Sequence, residues 1–146
     1  MSVTECESVR VMRRIAAPPE RVFRAWVEPE LLRRWLAPIA EADARACGHF
    51  RLAVSTPEGE HVVTGEYLEF IPDQRIAMTW VYEGPMAPEN KMEARLTVEF
   101  RGDGSHTDLN LHHQHLDNPT YFNTIRNGAW EKALDELEVL ARDTSI

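Results

Sequence analysis

The stretch NPTYFNTIRNGAWEKALDELEVLARDTSI, residues 118–146, decides the fold. It reads as one long amphipathic helix, opened by Asn118-Pro119-Thr120 and ended by the polar Arg142-Asp143-Thr144-Ser145. At 100° per residue, Phe122, Ile125, Ala129, Trp130, Ala133, Leu137 and Leu140 fall on one side, and Glu131, Asp135 and Glu138 fall opposite. A lone helix with one apolar stripe must lie on something. The alanines at its centre, Ala129 and Ala133, either let the partner approach closely or leave a hollow.

Working outward, the partner is a sheet. Val9, Val11 and Ile15 alternate with Arg10, Met12 and Arg14, so residues 5–15 read as a strand with Arg13 on the valines' face. An arginine there is either buried with a partner or has its stem packed and its head in water. Ala17-Pro18-Pro19-Glu20 starts a helix carrying Val22, Phe23, Trp26 and Val27. Glu28-Pro29 breaks it, and a second short helix carries Leu31, Leu32 and Trp35 up to Pro38.

From Asp43 the period becomes two. Ala44, Ala46, Gly48, Phe50, Leu52 and Val54 alternate with Arg45, Cys47, His49 and Arg51, up to a turn at Thr56-Pro57-Glu58-Gly59. His61–Ile71 and Arg75–Tyr82 follow as strands, the latter with Ile76, Met78, Trp80 and Tyr82 on one face. Residues 83–90, with Gly84, Pro85 and Pro88, read as the longest irregular connection. Lys91–Arg101 points Leu96, Val98 and Phe100 inward. Gly102-Asp103-Gly104-Ser105 is a hairpin signal, and Thr107–His115 points Leu109 and Leu111 inward with His113 and His115 in the same register. Strand, two short helices, five strands in hairpin sequence and a long helix make an α+β domain, an antiparallel sheet with helices on one face. Residues 1–146 form one domain, with no repeat or linker to divide them.

Charge and composition exclude several classes. A formal charge of −8 argues against a nucleic-acid binder, which needs a basic footprint. No apolar run is long enough to span a membrane, and residues 1–14 lack the apolar core of a secretory signal, so a cytoplasmic protein is expected. Cys6 and Cys47 fit no metal spacing and read as reduced thiols. His112, His113 and His115 lack further ligands at motif spacing, so no metal or cofactor is expected, and no nucleophile elbow or phosphate loop is present. Of Glu66 and Glu69, whose odd spacing puts them on opposite faces, one could pair with Arg13.

Several segments resemble a known family. They are Arg13-Arg14-Ile15-Ala16-Ala17-Pro18 with Val22-Phe23-Arg24-Ala25-Trp26, then Pro29-Glu30-Leu31-Leu32 before Trp35. Gly48-His49-Phe50, Gly65 through Pro72, Met78-Thr79-Trp80, Thr97-Val98-Glu99-Phe100 and the closing Trp130, Leu134-Asp135 and Leu137 continue the match. Together they resemble the homologues of the heat-shock-protein-90 ATPase activator, within the START-like, birch-pollen-allergen-like helix-grip superfamily (SRPBCC). Two departures stand out: Cys47-Gly48 replaces a paired glycine, and Ala129 takes the place of the glycine before Trp130. The resemblance implies a curved antiparallel sheet of about six strands gripping the C-terminal helix, with a hollow between them.

It further implies a hydrophobic or amphipathic small molecule bound in that hollow. Ile125, Ala129 and Ala133 would line the helix side and Trp80 and Tyr67 the sheet side. His113 and Arg13 would be polar contacts, and Trp35 with the 83–90 loop would flank the entrance. A chaperone-activating interaction, as for the family's namesake, and a cyclase or dehydratase using His113 as base are the other readings. An exposed strand edge would also allow a homodimer.

Overall fold

The structure, a computed structural model, describes residues 8–146. Cys6 and the start of the strand expected from residue 5 lie outside the described residues. Seven strands, β1 (Val9–Ile15), β2 (Ile39–Ala42), β3 (His49–Thr56), β4 (Gly59–Ile71), β5 (Arg75–Gly84), β6 (Ala87–Gly102) and β7 (Thr107–Gln114), form one open antiparallel sheet. Their order is β1-β7-β6-β5-β4-β3-β2. The chain crosses from one edge of the sheet to the other through α1 (Pro19–Val27) and α2 (Pro29–Trp35). Each helix has proline in its first turn, where no N–H is needed. Glu28, extended at φ −85° and ψ 123° as a residue before proline prefers, separates them.

Among the described residues no helix is long and apolar enough to cross a membrane. The inward register agrees with the sequence. Ile76, Met78, Trp80 and Tyr82 on β5, Leu96, Val98 and Phe100 on β6, and Leu109 and Leu111 on β7 are all buried. All four tryptophans join one cluster that ties α1, α2, β5 and the C-terminal helix together. Trp26 stands 4.8 Å from Trp35 and 5.7 Å from Trp130 between ring centroids, and Trp80 is 5.6 Å from Trp130.

The curved antiparallel sheet is as expected, and its seventh strand is the four-residue β2, too short to show a period. Several expectations are corrected. Residues 43–48 do not continue a strand. They turn, with Cys47 at φ 64° and exposed, and the strand begins at His49. The irregular connection expected at 83–90 is instead a tight hairpin, since β5 runs to Gly84 and β6 starts at Ala87. A bulge between Tyr67 and Glu69 adds one residue to β4. Glu69 therefore returns to the outer face with Glu66, and neither meets Arg13; Glu69 pairs with Arg75 at 2.5 Å.

The C-terminal helix is interrupted. Asn118 caps α3 (Pro119–Thr124) by accepting from the Tyr121 N–H at 3.0 Å. A wide, kinked turn, Ile125–Ala129 (the π-turn), follows, and α4 (Trp130–Ala141) completes the arm. Gly128 sits at φ 112° and ψ 16°, which only glycine adopts readily. The widened turn shifts the apolar stripe by one residue. In an unbroken helix Ala129 would continue the row of Ile125, whereas here Trp130 does, followed by Leu134, Leu137 and Ala141, all buried. Ala129 and Ala133 are left partly buried beside that row.

Candidate functional site

A cavity of ≈ 320 Å³ lies between the α3–π-turn arm and the β3–β5 end of the sheet. Leu52, Ala53 and Val54 of β3, Val63 of β4 and Trp80 of β5 form its floor. Tyr121, Thr124, Ile125 and Ala129 form the opposite wall, and Leu36 and Ala37, just past α2, close one end. The volume lies at the small end of the ~300–1,000 Å³ range of small-molecule pockets, and the surface is mostly hydrocarbon and aromatic. Among the described lining residues there is no carboxylate, lysine or arginine.

Its polar groups are two linked sets. On the strand side, Thr56 Oγ1 lies 3.0 Å from His61 Nε2, and His61 Nδ1 lies 2.7 Å from the Tyr82 hydroxyl. Thr56 gives its proton to the Gly59 carbonyl at 3.1 Å, and the Met86 N–H donates to Tyr82 at 3.3 Å. On the helix side, Trp80 Nε1–H donates to the Tyr121 hydroxyl at 2.9 Å. The rings of Tyr82 and Tyr121 stack with centroids 4.5 Å apart, joining strand to helix. Burial pushes both phenols above their ordinary pKa, so both stay protonated.

Of the residues expected at the site, Trp80, Ile125 and Ala129 line the cavity. Tyr67 does not. It borders a neighbouring gap of ≈ 10 Å³, too small for a ligand, and burial raises its phenol to about 12. Trp35 is core rather than entrance, its Nε1–H donating to the Ala25 carbonyl at 2.7 Å; the residues after it, Leu36 and Ala37, reach the cavity. Ala133 lies a turn beyond the cavity on α4 and does not line it. Arg13 stands at the far side of the helix. It donates to Asp135 at 2.6 Å, with Glu138 at 3.6 Å, and so ties β1 to the acidic face of α4.

His113 is fully buried behind the cavity wall. It accepts from Trp130 Nε1–H at 3.0 Å through Nδ1, which leaves its proton on Nε2, where no partner is found among the described residues. Burial lowers its pKa to about 3, with the nearby His112 adding to the effect. His115 does not share its register, because β7 ends at Gln114 and His115 turns out to solvent at φ 61°.

Sequence reasoning missed His61, Thr56 and Tyr121 as site residues. His61 was findable, since it precedes Val63, Gly65 and Tyr67 at strict spacing of two on β4.

An open antiparallel sheet holding a C-terminal helix, with an apolar hollow between them, defines a helix-grip protein of the START-like kind. Over residues 16–142 the sequence matches the family described as activator of Hsp90 ATPase homolog 1-like protein, and the chain belongs to that family. Protein CV1439 from Chromobacterium violaceum has a similar structure, with 25% identity and a TM-score of 0.79 over 93% of this chain and 97% of that one. CalU16 from Micromonospora echinospora is 25% identical with a TM-score of 0.70, over 94% of this chain and 78% of that one. PFC0360w, described as an HSP90 activator from Plasmodium falciparum, shares the fold at 24% identity and a TM-score of 0.68, over 91% of this chain and 94% of that one. The comparison with curated proteins gives no match.

Proposed function

We propose that this protein binds a hydrophobic or amphipathic small molecule between its C-terminal helical arm and the sheet. The observation that carries the reading is the ≈ 320 Å³ apolar cavity beside the π-turn. A concave apolar hollow of this size, lined by Leu52, Val63, Trp80 and Ile125, has the usual form of a small-molecule site.

The test uses purified protein: solvent extraction with mass analysis for retained compounds, then tryptophan fluorescence against a panel of apolar and amphipathic ligands. Saturable quenching by part of the panel is expected, because Trp80 lines the cavity. No retained compound and no quenching across the panel overturns the reading.

A second reading, activation of a chaperone ATPase, is favoured by the family's description and by the likeness to PFC0360w. Its test is chaperone ATPase turnover at saturating protein, where no stimulation removes it. Catalysis through His113 draws no support, because that ring is buried away from the cavity with Nδ1 already engaged by Trp130.

A further inference from the structure

Counting the polar protons around the cavity narrows what it can hold. Thr56 has one proton; when it goes to Gly59, the short contact to His61 runs from His61 Nε2–H to Thr56 Oγ1. His61 Nδ1 is then an acceptor, and the Tyr82 O–H donates to it at 2.7 Å, while Tyr82 oxygen accepts from the Met86 N–H. Thr124 turns its proton to the Thr120 carbonyl at 3.0 Å or to the Met86 sulfur at 3.3 Å. Trp80 spends its indole N–H on Tyr121. One proton in the described cavity wall has no acceptor whichever tautomer His61 adopts. The Tyr121 hydroxyl accepts from Trp80, but its own proton meets no acceptor among the described residues, although the residue is only 5% exposed.

A buried donor without an acceptor is costly, and accepting from Trp80 polarises Tyr121 into a stronger donor. We infer that the occupant is a neutral, mainly apolar molecule carrying a carbonyl-type acceptor that takes the Tyr121 proton. This rests on the binding reading above and specifies its ligand. Neutrality follows from the described lining: an anion would find no arginine or lysine, and a cation no carboxylate.

Three probes of equal bulk test it: 2-acetylnaphthalene, 2-ethylnaphthalene and 2-naphthoate, titrated calorimetrically at pH 7. The ketone is expected to bind about fivefold tighter than the hydrocarbon, the gain of one net neutral hydrogen bond. The carboxylate is expected to be weakest. Tyr121→Phe would strip Trp80 of its acceptor and mix loss of fold with loss of donor. The donor is therefore graded by 3-fluorotyrosine at position 121, nearly isosteric and more acidic. That change is expected to tighten the ketone about twofold and leave the hydrocarbon unmoved. Equal affinity for ketone and hydrocarbon, a ratio unchanged by fluorination, or tightest binding of the carboxylate overturns the inference while leaving the cavity reading intact. Failure of all three probes to bind overturns both.

Discussion

Acidification should destabilise this protein through one buried ring. His113 receives a hydrogen bond from Trp130 at Nδ1 and sits in ring contact with Trp80, Tyr121 and Trp130. A proton added to Nδ1 would oppose the indole N–H and place a charge where no carboxylate among the described residues faces it. In the folded protein the ring titrates at about 3, against an ordinary value of 6.5. The folded-state value is depressed, so the stability held by the neutral ring is complete above pH 6.5 and is lost progressively as pH falls toward 3. At pH 5.0 the unfolded ring is about 1.5 units below its own pKa while the folded ring is still neutral. At ~1.36 kcal/mol per unit the loss is about 2 kcal/mol. His113→Gln keeps an acceptor for Trp130 but does not titrate. Urea unfolding at pH 7.5 and pH 5.0 should show wild type losing about 2 kcal/mol more than the variant between the two. Equal losses would refute the assignment of a buried neutral imidazole.

Other perturbations probe the remaining elements. A methyl at Gly128 would meet nothing within 4 Å, so Gly128→Ala isolates the backbone cost of φ 112°. It should cost about 1–2 kcal/mol and lower Tm by ~3–6 °C by calorimetry, whereas an unchanged Tm would mean the π-turn is absent. Ala129→Leu should fill the cavity, weakening ligand binding at least about tenfold in the fluorescence titration with Tm unchanged or raised. Full affinity in that variant would move the site elsewhere. Arg13→Ala and Asp135→Asn, combined in a double-mutant cycle, should show a coupling of only about 0.5–1 kcal/mol, because Asp135 is 70% exposed. Zero coupling by urea unfolding would remove the β1–α4 tie.

How much could be read from residues alone follows from which signals are local. Strict alternation over six or more residues placed β5, β6 and β7 and their inward faces, because a pleated strand can bury only one parity. The two proline-led helices were equally legible. What escaped were single-residue shifts. The bulge at Tyr67–Glu69 and the π-turn at Gly128 each insert one residue, and one residue is enough to move every later side chain to another face. Past the π-turn, Ala133 lies beyond the cavity that Ile125 and Ala129 line. Arg13 was visible as an arginine in an apolar register, yet its partners Asp135 and Glu138 lie over a hundred residues on, beyond any local pattern. Likewise, His113 stood out as a histidine on an inward face, but only the packing of Trp130 beside it shows a structural role.

The central claim is occupancy of the cavity between arm and sheet. Nuclear Overhauser contacts from bound 2-acetylnaphthalene to methyl-labelled protein test it most directly. The account predicts contacts to Leu52, Val63, Ile125 and Ala129 together. Contacts instead to exposed methyls such as Val139 or Met12, or no contact to any of the four, would contradict it.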